Sequence, residues 1–148
     1  MTGIERTKAY ELGIKIGAIT AFCEAAHAEC KNMSLSGLFP PEDHEFLSRR
    51  AEAVATQNEV RLYLEKDFLS TDMFPDADST GKWLFVIYKK PEFLEAYNAL
   101  KQRKKALVQQ GAYLGNARKE IARSLGRLLG YSESYIGEKL RSGRENPL

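Results

Sequence analysis

The chain has 148 residues, with 22 Lys/Arg against 20 Asp/Glu for a net charge of +2, and is 43% hydrophobic and 28% charged. These values are ordinary for a soluble globular protein of one domain. No apolar run reaches the roughly 18 residues a membrane-spanning helix needs, so no membrane association is expected. The opening "MTGIERTKAYELG" lacks the basic-then-apolar order of a secretory signal, and there are only two cysteines, so a cytoplasmic location is expected.

The first predicted element is a long helix over 4–31. Leu12, Ile16, Ile19, Cys23 and Cys30 recur at helical spacing as an apolar stripe. Gly13, Gly17, Ala21 and Ala25 form a second, small-residue face, a candidate dimer seam where a partner backbone could come close. "SLSGLFPPED" (34–43) reads as a connector, stopped by Gly37 and the pair Pro40-Pro41. A helix over 41–57 follows, with Phe46, Leu47, Ala51 and Val54 facing inward.

"EVRLYLE" (59–65) alternates as a strand does, although it could also extend the preceding helix. "KWLFVIYK" (82–89) is a surer strand, dense in aromatic and β-branched residues. The turn-rich segment between them, ending in "DMFPDADSTG" (72–81), is expected to be an exposed loop. Two strands joined this way make an antiparallel ribbon that needs helical support or a further strand. Pro91 opens a helix over 91–110, "GAYLGN" breaks it, and a further helix begins at Ala117.

The fold expected is mainly α (α+β), a helical bundle with a small antiparallel ribbon near 59–89. Residues 1–110 form the body, and 111–148 form a C-terminal helical hairpin packed on the same core.

Three constellations could carry chemistry. Cys23, His27 and Cys30 stand at i, i+4 and i+7 of the first predicted helix, and thiolate and imidazole suit zinc, with His44 as a fourth ligand. The same three continue the apolar stripe, and as core residues they would leave His27 hydrogen-bonded. A Cys–His nucleophile lacks an oxyanion site or third group. The aspartates of 72–81 lack the order of a calcium loop. No phosphate loop, dinucleotide fingerprint or serine elbow appears, so no catalytic residue is assigned.

The second constellation is charge. Residues 89–148 carry 13 Lys/Arg against 6 Asp/Glu, and residues 1–88 carry 9 against 14. A basic half beside an acidic half is one footprint of a nucleic-acid partner, or a face that pairs internally. "KQRKK" (101–105) could add to a basic patch or be the wet face of its helix.

The third is "SLGRLLGYSESYIGEKLRSG" (124–143), which reads as helix, tight turn, helix. A small residue at Gly126, a residue tolerant of positive φ at Gly130 and an inward aliphatic at Ile136 meet the spacings of four and six that such a crossing demands. Ser132 is placed to cap the second helix. With Leu125, Tyr135, Gly143 and Pro147, these residues resemble the phage repressor/Cro-type helix-turn-helix family over about 24 residues. The spacing from Ile136 to Gly143 is one residue longer than that family's usual pattern.

The resemblance implies that 132–142 is a recognition helix lying in the major groove. Its reading surface would be Ser132, Glu133, Ser134, Gly137, Glu138 and Arg141, and in the basic C-terminal half Arg118, Lys119, Arg123, Arg127, Arg141 and Arg144 could grip backbone phosphates. The expectation is a small nucleic-acid-binding protein, a candidate transcriptional regulator and homodimer. The alternatives are a protein–protein interaction or scaffold domain, in which the hairpin serves only the core, and a metal- or ligand-binding protein using Cys23, His27 and Cys30.

Overall fold

The computed structural model describes residues 2–75 and 77–142. Among them are five α-helices and one three-stranded antiparallel sheet, a mainly α fold with a small β element. None of these helices is long and apolar enough to cross a membrane. The chain divides into two compact units, one of residues 1–67 and 81–89, the other of residues 68–80 and 90–148. The division therefore falls at 67/68, 80/81 and 89/90 rather than at 110/111.

In the first unit, α1 (Gly3–His27) opens on a capping box in which Thr2 and Glu5 each bond the other's backbone N–H. It ends four residues short of the predicted boundary. Glu29 turns left-handed at φ 59°, and the Cys30 N–H bonds back to the Ala25 carbonyl, satisfying an end carbonyl of the helix. No glycine marks that stop.

Ile19, Cys23 and Ala26 of α1 join Leu47, Ala51 and Ala55 of α2 (His44–Gln57) in a core over Phe85 and Ile87. Phe46, predicted to face inward, is 39% exposed, and the Arg50 guanidinium lies 3.8 Å above its ring. Leu47 and Ala51 face inward as predicted, Val54 packs partly against the core, and Ala55 completes the inward row.

The expected two-stranded ribbon is a three-stranded sheet in the order β1-β3-β2. β3 (Leu84–Tyr88) is central and buried at all five residues, so it reads as an unbroken apolar run. β2 (Arg61–Glu65) pairs with it from Arg61↔Tyr88 to Glu65↔Leu84. β1 (Met33–Leu35) overlaps the start of the predicted connector and pairs through Met33↔Tyr88 and Leu35↔Val86. Ser36 prolongs that edge: its Oγ accepts from the Phe85 N–H at 2.8 Å and its own N–H donates to the Phe85 carbonyl at 2.9 Å.

The second unit is built from α3 (Pro91–Gln109), α4 (Gly115–Leu128), α5 (Glu133–Ser142) and the segment 68–80. That segment is not an exposed loop throughout. Thr71 and Met73 are fully buried and Asp72 nearly so. The buried Tyr97 hydroxyl accepts from the Leu69 N–H at 3.1 Å, and the Lys104 ammonium donates to the Ser70 carbonyl at 2.7 Å.

Where α4 meets α5, the three steric positions behave as their spacing demands. Gly130 has φ 84°, a region a side chain disfavours. Ile136 is buried against Ala122 and Met73. A Cβ added at Gly126 would lie 2.8 Å from Ile136 Cγ1, 2.9 Å from its Cδ1 and 3.2 Å from Met73 Cε.

Gly126→Val is expected to lose about 2–3 kcal/mol in urea denaturation through overpacking. Gly126→Ala gains about 1 kcal/mol of helix propensity, which offsets the movement asked of Ile136, and should stay close to wild type. A valine variant as stable as the parent would disprove the close approach.

Candidate nucleic-acid interface

α4 is strongly two-sided. Ile121, Ala122, Leu125 and Gly126 are buried, and Lys119, Arg123 and Arg127 follow one another at i+4 along the opposite side. Glu120 sits among them, 3.6 Å from Arg123 and 3.2 Å from Arg127. The outer face of α4 is thus a row of three cations with one carboxylate set into it.

Arg118 leaves the predicted set. It is 6% exposed and gives two hydrogen bonds to Asp72, Nε to Oδ2 at 2.9 Å and Nη2 to Oδ1 at 2.8 Å. Its guanidinium also lies 5.2 Å from the centre of the Tyr113 ring. A buried bidentate pair of this kind holds segment 68–80 to α4 and offers nothing to a phosphate. Asp72, 46 residues away in sequence, falls in the segment expected to be an exposed loop, and no local pattern connects the two.

Arg127 is exposed but engaged. Its Nε donates to Glu133 Oε1 at 2.6 Å and its Nη2 to Oε2 at 3.2 Å, tying the end of α4 to the first turn of α5. The hydrogen bond from Arg127 holds the Glu133 carboxyl below its usual range, and the same bond raises Arg127. A depressed carboxyl contributes stability above its unfolded value and loses it as pH falls through the folded one, so this tie weakens only in acid.

On α5, Ser132, Ser134, Glu138 and Arg141 face solvent while Ile136 is buried beneath them. Ser132 Oγ accepts from the Tyr135 N–H at 3.1 Å, the predicted cap. Lys139 lies 5.7 Å from the centre of the Tyr135 ring. Arg144, with Gly143 and Pro147, lies outside the described residues. On α3, Arg103 and Lys105 are exposed, and Lys104 is turned to Ser70 and the Tyr113 ring.

The charge asymmetry shrinks once residues are grouped as they fold. The second unit holds 12 Lys/Arg against 9 Asp/Glu, and the first 10 against 11. Three aspartates of 68–80 move to the basic side, and Lys89 leaves it.

The cysteine–histidine constellation does not assemble. Cys23 is buried in the core, Cys30 is exposed beyond the end of α1, and His27 is exposed. The carbonyl of His27 accepts from the Lys89 ammonium at 3.1 Å. Among the described residues no group of three or more His, Cys, Asp or Glu side chains could hold a metal ion. Burial pushes the Cys23 thiol up to about 11.

Iodoacetamide at neutral pH is therefore expected to modify Cys30 in the native protein and Cys23 only after unfolding, as read by peptide mass spectrometry. Asp72→Ala should cost about 3–5 kcal/mol by stranding the buried guanidinium of Arg118. Asp72→Ala with Arg118→Met should recover part of that loss in a urea double-mutant cycle; additive losses would show the pair to be uncoupled. No protein-family model, no curated protein and no solved structure matches this chain.

Proposed function

We propose that the second unit binds DNA, with α4–turn–α5 acting as a helix-turn-helix whose second helix enters the major groove. One observation carries this reading: Gly126, Gly130 and Ile136 lock the crossing from beneath, which leaves Ser132, Ser134, Glu138 and Arg141 of α5 directed to solvent. Lys119, Arg123 and Arg141 are the phosphate contacts, and Arg103 and Lys105 of α3 extend them. Ser134 can serve either base edge, and the carboxylate of Glu138 suits the amino group of cytosine. Arg127 positions α5 through Glu133. Two free thiols, one of them exposed, suit work in a reducing cytoplasm.

With two glutamates on the same helix, affinity must come from few phosphates. About four contacts give a roughly 100-fold rise in Kd between about 50 and 200 mM salt. Fluorescence anisotropy on a mixed-sequence duplex reads that slope. Lys119→Glu with Arg123→Glu should weaken binding at least about tenfold while leaving the circular dichroism unchanged. No binding to duplex even at low salt removes the proposal.

A further inference from the structure

α1 has two apolar sides, and the chain covers one. Ile19, Cys23 and Ala26 are buried, with Leu12 and Ile16 packed beside them. At about 100° per residue, Tyr10, Ile14, Gly17 and Ala21 fall on the opposite side of the helix. All four are exposed, Tyr10 at 71% and Ile14 at 55%. Every residue from Thr2 to Glu11 is exposed as well. A helix segment this short and this solvated is marginal alone. Among the described residues nothing lies within 4 Å of a Cβ added at Gly13 or Gly17, so no close packing there offsets their helix cost.

We propose that α1 is a self-association helix: two copies of the chain pair their α1 helices antiparallel about a two-fold axis, through the face of Tyr10, Ile14, Gly17 and Ala21. This does not rest on DNA binding. The face contains its own complement, with bulky residues in its first half and small ones in its second. At about 1.5 Å rise per residue, Tyr10 and Ala21 lie about 8 Å either side of one midpoint, and Ile14 and Gly17 about 2 Å either side. Reversal sets Tyr10 over the partner's Ala21 and Ile14 over the partner's Gly17.

Charge selects the same arrangement. Arg6 and Glu24 are exposed on one flank of the face, near opposite ends and almost equally far from the midpoint. Antiparallel pairing brings Arg6 beside the partner's Glu24 at both ends. Parallel pairing would set Tyr10 on Tyr10, leave a void at Gly17, and put the two copies of Arg6 and of Glu24 on opposite flanks with no opposite charge across the seam. A self-complementary patch of this kind is what a two-fold interface requires.

Sedimentation equilibrium of the full chain from micromolar to millimolar concentration tests the proposal. A dimer is expected. Tyr10→Glu with Ile14→Glu should raise its dissociation constant at least about 100-fold. Arg6→Glu should weaken it, and Arg6→Glu with Glu24→Arg should restore it. In a Cys30→Ser background, Tyr10→Cys alone should give no disulfide-linked dimer under mild oxidation, because its two copies would lie about 16 Å apart. A mixture of Tyr10→Cys and Ala21→Cys chains should give one. A wild-type chain that stays monomeric, a glutamate variant that dimerises like the parent, or cross-linking by Tyr10→Cys alone overturns the proposal.

Discussion

At Gly126 a hydrogen stands where a larger side chain would press into Ile136 and Met73, and the closeness of the α4–α5 crossing rests on that. The gap lets α5 cross α4 closely enough for Ile136 to reach Ala122 and for Met73 to close the space below. Gly130 supplies the left-handed turn that makes the approach possible in so few residues. Met73 is held in place because Asp72 beside it is fixed to Arg118, so one ion pair and one missing side chain act on the same small core. An expanded crossing would loosen the segment 68–80 together with α5.

Burial, more than composition, decides what the arginines of this unit can do. Arg118 and Arg123 are one and a half turns apart on the same helix. The first exchanges its hydration for two carboxylate bonds, and the second keeps 37% of its side-chain surface in water. A nearly buried guanidinium whose Nε and Nη2 are both given to Asp72 cannot serve a phosphate without stranding that carboxylate. Arg127 is intermediate, since its ion pair is exposed and therefore weak, yet it fixes where α5 starts. The outer row of α4 thus offers fewer cations to a polyanion than a count of basic residues suggests.

How much of this is legible in the sequence follows from the range of the determining contacts. The helices announce themselves through periodicity, β2 through an alternation that a longer preceding helix could also explain, and β3 through a dense apolar run, all of them local properties. So does the triad Gly126, Gly130 and Ile136, because its steric rule spans ten residues. β1 does not: three residues beside a glycine and two prolines become a strand only because β3, 50 residues on, needs an edge partner. The end of α1 at Glu29 is hidden because a glutamate takes the left-handed conformation usually left to glycine. That one turn removes Cys30 from the helix and with it the apparent ligand spacing. Arg118 reads as a surface cation until Asp72 is seen beside it.

The first helix poses the complementary problem, since its sequence satisfies more than its own unit uses. One stripe is consumed by the core with α2 and the sheet, and Lys8 anchors the helix to Asp43 through a 2.8 Å ion pair. Across the helix, two open glycines and two uncovered apolar side chains each work against a lone α1 in water. Pairing with a second copy covers both apolar side chains, because Gly17 and Ala21 become the recesses that Ile14 and Tyr10 fill. Stability of the first unit would then rise with protomer concentration, as it does wherever only the folded state can associate. Under the DNA-binding role proposed for α5, a dimer would also carry two copies of it, and two half-sites are the usual remedy for the weak grip of one short helix. On this reading, association through α1 is the compensation that lets α5 keep its glutamates.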